Sequence, residues 1–335
     1  MIEAGIIGGT GYTGLELIRL LLAHPAVNIS IVTSRRHKGQ QVSDVNPHLA
    51  PFITLAYDDV DPKEIAERSD VVFVAVPHGS AMTYVPGLIE NGVRVIDLSA
   101  DYRLKRADFE KVYKLNHTDS EDRNAVYGLP ELHPEVTQAN LVANPGCYPT
   151  GAILAVAPLV RAGLVERVLF DSKSGISGAG EAPSEKSHFP NLAENIIPYQ
   201  ITAHRHVAEM RQELHLPVSF TPHVIPAIRG ILTTAHVFLK AGVSISSKEI
   251  ETYYTQFYAD KRFIRLRQGV PTLGAVRGTN FCDISFAIED GSDRIVVIST
   301  IDNLVKGGSG QAIQNMNLMF GLDEVAGLWF PGLVP

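Results

Sequence analysis

The chain has 335 residues, 45% of them hydrophobic and 19% charged, with a net charge of −7. At about 150 residues per domain there is room for two cores, and the balance excludes a disordered chain or a broad basic face for nucleic acid or anionic lipid. Apolar runs such as 153–160 are too short to span a membrane, and two cysteines exclude a disulfide framework and favour a reducing, cytoplasmic setting.

The opening Met1-Ile2-Glu3-Ala4-Gly5 carries no basic segment, so no secretory signal is expected. Residues 2–7 read as a strand, followed by glycines and then by Leu15, Ile18, Leu21 and Leu22 at helical spacing, up to His24-Pro25. Residues 27–33 alternate like a strand, whereas 70–76 and 93–98 are the continuous apolar strands of a parallel sheet. A helix over 86–91, stopped by Gly92, lies between the last two. This βαβ rhythm predicts a doubly wound, Rossmann-type sheet.

The rhythm changes near residue 147. Long alternating runs at 230–240, 281–288 and 294–301 predict an α+β second domain with a mostly antiparallel sheet, the last two runs forming a hairpin around Glu289-Asp290-Gly291-Ser292-Asp293. Ser246 and Ser247 are placed to cap a helix over about 248–258. A last helix begins in Gly307-Gly308-Ser309-Gly310 and carries Ile313, Met316, Met319 and Phe320 on one face, which needs the first domain as partner. The expected division is 1–146 plus 309–335 for cofactor binding and 147–308 for catalysis and oligomerisation.

Gly8-Gly9-Thr10-Gly11-Tyr12-Thr13-Gly14 joins the first strand to the first helix. Gly8, Gly11 and Gly14 form a GxxGxxG variant of the dinucleotide fingerprint, in which glycines admit the pyrophosphate to a helix N-terminus; the plainer alternative is a tight turn. Thr10, Tyr12 and Thr13 belong to the same candidate loop. Where an NAD enzyme usually carries a carboxylate after its second strand, this chain has Ser34-Arg35-Arg36, and no acid occurs from Leu17 to Ser43. Two guanidiniums and a hydroxyl suit a 2′-phosphate, so NADP is expected; the alternative is a solvated basic corner.

A strand over 140–143 runs into Asn144-Pro145-Gly146-Cys147-Tyr148-Pro149-Thr150-Gly151 and an apolar helix. Cys147 therefore falls at a helix N-terminus, where free N–H groups favour thiolate over thiol. A nucleophile is the preferred reading over a buried structural cysteine. Cys282, in mid-strand, reads as packing.

With NPGCYPTGA around Cys147, the initial GGTGYTG and a later His204-Arg205-His206, the chain resembles the N-acetyl-γ-glutamyl-phosphate reductases of arginine biosynthesis, relatives of the aspartate-semialdehyde and glyceraldehyde-phosphate dehydrogenases. The resemblance extends through Asp97-Leu98-Ser99-Ala100-Asp101-Tyr102-Arg103, Tyr127-Gly128-Leu129-Pro130-Glu131, the 174–180 loop SGISGAG and Asp302-Asn303-Leu304-Val305-Lys306-Gly307. It implies NADPH reduction of an acyl phosphate to an aldehyde through a thioester on Cys147, and a dimer or tetramer.

A hemithioacetal oxyanion formed on the way calls for a general acid titrating near neutrality, the natural work of histidine. Most of the twelve histidines, His24, His37, His117 and His215 among them, read as surface. Spacing alone does not rank His204 against His206; the resemblance implies His206, with Glu209 as an orienting carboxylate. A zinc site at His-x-His lacks further ligands close by, and no metal is expected.

Arg103 is a candidate for the leaving phosphate, against a salt bridge to Asp97 or Asp101. Ser177 and Gly178 are candidate N–H donors beside Cys147, and Arg205 a candidate for the substrate carboxylate. Pro77 and His78 with Gly79, and Gly308 with Gly310, are expected along the cofactor. By resemblance Asn315 lies near the nicotinamide, against a plain role as a polar helix residue. Competing readings are an aspartate-semialdehyde dehydrogenase, a lysine-pathway reductase of carrier-bound aminoadipyl phosphate, and a non-catalytic NADP sensor.

Overall fold

The structure is a computed structural model describing residues 1–289 and 292–334. The chain divides into two compact units, Met1–Pro145 with Gly308–Trp329, and Gly146–Gly307 with the tail from Phe330.

The first unit contains β1 (Ile2–Ile7), β2 (Val27–Thr33), β3 (Tyr57–Asp58), β4 (Val71–Val74), β5 (Arg94–Asp97), β6 (Val126–Tyr127) and β7 (Leu141–Ala143). Every pairing is parallel, in the order β3-β2-β1-β4-β5-β7-β6. β4 is buried along its whole length, as a strand covered on both faces must be. Helix α1 (Tyr12–Leu21) follows β1, and α2 (Val85–Glu90) precedes β5, ending before Gly92 at φ +80°. The order reverses between β1 and β4, so their carboxyl ends flank the crevice where open α/β sheets take ligands. The C-terminal helix Gly310–Met319 packs back on this unit, with the Ser309 hydroxyl donating to the Thr13 carbonyl at 2.8 Å.

The second unit contains α3 (Cys147–Arg161), β8 (Val165–Gly175), β9 (Ile197–Pro198), α4 (His206–Leu214), β10 (Val218–Ile225), β11 (Ile231–Leu239), α5 (Ser247–Phe257), β12 (Ile264–Leu266), β13 (Cys282–Ile288) and β14 (Arg294–Ile301). Its sheet, ordered β12-β13-β14-β11-β8-β10-β9, is mostly antiparallel, with β8–β10 and β12–β13 parallel. β13 and β14 pair antiparallel as expected; Asp290 and Gly291 of the foreseen turn lie outside the described residues. Ser246 alone caps α5, in a capping box with Glu249.

Helix α3 is buried from Tyr148 to Leu159 although Pro158 sits inside it. Proline has no N–H for the Leu154 carbonyl one turn back, and the Tyr258 hydroxyl supplies that bond at 2.6 Å. The Tyr254 hydroxyl donates to the neighbouring Ala155 carbonyl.

Two expectations are corrected. The tail after Trp329 belongs to the second unit, since the Leu333 N–H donates to the Arg277 carbonyl at 2.9 Å. His24 is buried rather than on the surface, with its Nε2 3.0 Å from Asn317 Oδ1 of the C-terminal helix. Among the described residues no helix is long and apolar enough to cross a membrane.

Candidate active site

In the first unit the candidate loop is made of backbone. Gly8 has φ +87°, and a Cβ there would meet the Ala75 carbonyl oxygen at 2.3 Å. A Cβ on Gly14 would meet Gly8 O at 2.3 Å, and one on Gly9 would meet Val32 at 2.2 Å, so Gly9 is a steric requirement that the GxxGxxG spacing passes over. Gly11 differs. It is the N-cap of α1 in extended conformation, and a Cβ there would have nothing within 4 Å. No side chain caps α1 and no acid occupies its first turn, which fits an anionic pyrophosphate lying against Gly11, Tyr12 and Thr13.

Around that loop the remaining candidates fall into two groups. At the end of β2, Ser34 is buried with its N–H on the Asp58 carbonyl, while Arg35 and Arg36 are exposed. Arg35 donates to the Tyr84 hydroxyl at 2.9 Å, and Arg68 engages the Asp58 carboxylate at 2.9 Å. After β4, Pro77 is exposed and His78 half-buried. His78 Nδ1 accepts the Ala100 N–H at 3.0 Å, and Asp101 accepts the N–H groups of Gly79 and Met82 at 2.7 and 3.2 Å. Asp97, fully buried at the end of β5, takes the Ser99 N–H and hydroxyl, both at 2.8 Å. Burial first, then the charge of Asp101, pushes its carboxyl up to about 7.

Two further candidates, Arg103 and Asn315, are buried and bonded to the chain. Arg103 Nε donates to the Asn144 carbonyl at 2.7 Å and Nη2 to the Leu98 carbonyl at 2.9 Å. That commits two of its donors to backbone, and its charge also acts on the Asp97 carboxyl. Asn315 is fully buried, donating to Gly128 O at 2.9 Å and Asn144 Oδ1 at 3.2 Å. Asn144 in turn donates to Gly308 O at 3.1 Å. Both side chains therefore hold the residue that precedes Pro145-Gly146-Cys147; Gly310, at the start of the C-terminal helix, is buried.

In the second unit the candidate site is made of side chains held from afar. Cys147 is the first residue of α3 and is only partly buried. His206 is the first residue of α4 and is buried. Glu209, one turn into α4, has no solvent exposure; one oxygen accepts the Gly146 N–H at 2.9 Å and the other lies 3.9 Å from His206 Nε2. A single carboxylate thus ties the N-cap of the thiol helix to the imidazole. The positive end of α3, with no acid in its first turn, favours an ionised sulfur. The Tyr199 hydroxyl donates to that of Tyr148 at 3.0 Å, and Tyr148 to the His223 carbonyl at 3.3 Å. Burial, with the charge of the Cys147 sulfur as a further cause, raises both phenols, Tyr199 to about 12.

His204 lies outside α4. Its Nδ1 accepts the His206 N–H at 3.1 Å, and burial followed by the Arg205 cation lowers it to about 4. Arg205 itself is exposed.

The turn after β14 lies against Cys147. The Asp302 carboxylate accepts the N–H groups of Leu304, Val305 and Gly278 at 2.8, 3.2 and 2.7 Å. This tight turn sets Gly307 against Cys147, where a Cβ would stand 3.0 Å from the cysteine's own Cβ. Asn303 accepts the Gly230 N–H at 2.7 Å and donates to Ser177 Oγ at 2.9 Å. The Ser177 N–H is taken by the Ile228 carbonyl at 3.1 Å, so Ser177 does not offer that N–H to an oxyanion. A Cβ on Gly178 would stand 3.2 Å from the Ser174 hydroxyl. Cys282 is fully buried in β13, in keeping with packing.

Comparison with known proteins decides the family. Residues 3–140 match the semialdehyde dehydrogenase NAD binding domain, and residues 147–303 match the semialdehyde dehydrogenase dimerisation domain. A protein of Methanothrix thermoacetophila, named N-acetyl-gamma-glutamyl-phosphate reductase, is 62% identical over 343 residues, covering 100% of both chains. The protein of that name in Archaeoglobus fulgidus is 52% identical over 339 residues, covering 99% of this chain and 100% of its own. The chain belongs to the N-acetyl-γ-glutamyl-phosphate reductase family.

As a member of that reductase family it is an oxidoreductase with a nicotinamide-dinucleotide domain. Among solved structures, aspartate semialdehyde dehydrogenase II of Vibrio cholerae, complexed with ASA, has TM-score 0.75 at 18% identity, covering 96% of this chain and 98% of that one. The aspartate semialdehyde dehydrogenase of Candida albicans with NADP has TM-score 0.71 at 17% identity, covering 96% and 98%. At such identity these two establish the fold that the N-acetyl-γ-glutamyl-phosphate reductase family shares.

Proposed function

We propose that the chain reduces N-acetyl-γ-glutamyl phosphate to N-acetylglutamate 5-semialdehyde and inorganic phosphate, in arginine biosynthesis, with NADPH as reductant and Cys147 as nucleophile. The observation that carries this reading is Glu209, a buried carboxylate bound to the Gly146 amide and set beside His206. It brings a helix-start thiol and an imidazole under one anchor, in a chain 62% identical to a reductase of that name.

The Cys147 thiolate attacks the acyl carbon; the C–S bond forms as the C–O bond to phosphate breaks, leaving a thioester and free phosphate. The dinucleotide, when bound, supplies hydride. Gly8, Thr10, Gly11, Tyr12, Thr13 and Gly14 would hold its pyrophosphate, with Pro77, His78 and Gly310 alongside. Ser34, Arg35 and Arg36 would hold the 2′-phosphate that distinguishes NADP from NAD. His206 donates a proton to the hemithioacetal oxyanion on Cys147, then takes it back as the C–S bond breaks and aldehyde leaves. Glu209 orients the imidazole for both transfers. Exposed Arg205 is the group we assign to the substrate carboxylate, and Gly178 the one we assign to backbone donation toward the developing oxyanion.

We place a second copy of the chain over the outer face of the second sheet, where β8 exposes Leu169, giving a dimer or tetramer, and we place the enzyme in the cytosol, whose reducing state preserves the thiol. The assay runs the reaction backwards, following NADP⁺ reduction with N-acetylglutamate semialdehyde and with aspartate semialdehyde. The former is expected to be oxidised far faster and only with phosphate present. Preference for aspartate semialdehyde would overturn the substrate, and activity without phosphate would overturn the acyl-phosphate chemistry.

A further inference from the structure

The segment His204-Arg205-His206 places two imidazoles 4.7 Å apart, centroid to centroid, in different structural positions. His206 opens α4, so its backbone N–H is among the amides that no carbonyl of the helix reaches. Helices usually satisfy such an amide with Ser, Thr, Asp or Asn; here Arg205, the N-cap, makes no side-chain cap bond. His204 does it instead, accepting the His206 N–H on Nδ1 at 3.1 Å. A backbone amide can only donate, so that nitrogen carries no proton, and a neutral ring must then carry its hydrogen on Nε2.

The ring has little freedom to leave this position. It is buried, with edge-on contacts to Tyr148, Tyr199 and Phe220 at centroid distances of 5.5, 5.7 and 5.3 Å. The charged or titratable groups around this helix start are Arg205, His206, Cys147, Tyr148, Tyr199 and Glu209, with Lys186 over the Tyr199 ring. Arg205 is a cation adjacent in sequence and opposes a second one on His204.

We propose that His204 is a positioning residue: a tautomer-locked imidazole that takes the place of an asparagine-like cap, fixes the first turn of α4 and thereby aims His206 at the Cys147 adduct. This rests on His206 being the acid–base group. It gives the two histidines separate work, one moving protons and the other holding none to give. A misplacement of about 1 Å at such a group costs up to roughly 10²-fold in rate, so the cap is expected to appear in kcat rather than in KM.

The test compares two substitutions that separate ring from acceptor. Asparagine Oδ1 occupies much the same place as histidine Nδ1, whereas phenylalanine keeps the ring and loses the acceptor. His204→Phe is expected to lower kcat roughly tenfold to a hundredfold with KM nearly unchanged, and His204→Asn to restore most of the loss together with the wild-type pH–rate profile. His204→Asn as inactive as His206→Asn would overturn the proposal, because the imidazole itself would then be needed. So would His204→Phe at wild-type kcat.

A third arm needs no variant to turn over substrate. In the ¹⁵N-histidine NMR spectrum of the wild-type enzyme, with the resonance assigned by its absence from His204→Asn, His204 is expected to remain in the Nε2–H form between about pH 5 and 8. A resonance that titrates near neutrality would overturn the proposal even if the Phe variant did not fold. Failure of the underlying reading is distinct: it is turnover by His206→Asn at the wild-type rate.

Discussion

The two units build their candidate sites from different materials. In the first, the site is backbone: Gly8, Gly9 and Gly14 are required by contacts at 2.2–2.3 Å, and Gly11 leaves an open helix start. In the second, the site is side chains whose positions depend on partners distant in sequence, such as Glu209 on Gly146 and Asn303 on Ser177. The glycine loop tolerates almost any sequence outside its few glycines. A side-chain site is only as good as the hydrogen bonds that hold each group, and so should fail at more positions.

The largest expected effect lies in the second unit. Cys147→Ser should lower turnover by at least roughly 10⁴-fold, while dinucleotide affinity, read by fluorescence titration, stays at the wild-type value. Next is His206→Asn, with kcat down roughly 10²–10⁴-fold. Loss of dinucleotide binding in either variant would break the division of labour between the units.

In the first unit, Arg35→Ala with Arg36→Ala should reduce the preference for NADPH over NADH roughly tenfold to a hundredfold, since a charge-assisted bond contributes about 1.5–3 kcal/mol. An unchanged ratio of efficiencies would end the 2′-phosphate assignment. The glycines sharpen the comparison further. Gly14→Ala, forced against Gly8 O at 2.3 Å, should lower stability by about 1–3 kcal/mol in a denaturant titration. Gly11→Ala meets nothing within 4 Å and should leave stability within about 0.5 kcal/mol while weakening dinucleotide binding. Equal stability losses in the two variants would contradict the steric account.

The smallest effects are opposite pH slopes. Asp97, held at about 7 by burial and Asp101, is protonated in the folded state at pH values where the unfolded carboxyl is ionised. Its stabilising contribution is present near pH 4 and is lost as pH rises to about 7. His204, lowered to about 4, stabilises above its unfolded value of 6.5 and loses that contribution as pH falls toward 4. Melting curves should therefore show Asp97→Asn flattening the decline toward alkaline pH and His204→Asn flattening the decline toward acid. The reverse assignment would refute both causes.

How much of this was legible in the amino-acid sequence follows the same division. The glycine loop, the strand order's βαβ half and the helix start at Cys147 are local matters of residue type and spacing, and they stand where the sequence puts them. His204 and His206 could not be separated by spacing because alternation assumes a strand, whereas the helix begins at His206 and leaves His204 outside it, with its Nδ1 on the His206 N–H. That Arg103 and Asn315 also converge on Asn144, 41 and 171 residues away in the chain, is something no local pattern announces. Pro158 stays inside its helix because Tyr258, 104 residues from Leu154, satisfies the Leu154 carbonyl, a partner that local sequence does not announce. Asp302 and Asn303 had a signal, polar turn formers ahead of a glycine pair, but their partners Gly278, Gly230 and Ser177 are set by the fold.

The central claim is a thioester on Cys147, and it is tested most directly by mixing the enzyme with N-acetyl-γ-glutamyl phosphate in the absence of any dinucleotide, quenching in acid and analysing peptides by mass spectrometry. The account predicts a single stoichiometric burst of phosphate with the acyl group on the peptide containing Cys147. No burst, or an acyl group recovered on Cys282 or on no cysteine, would contradict it.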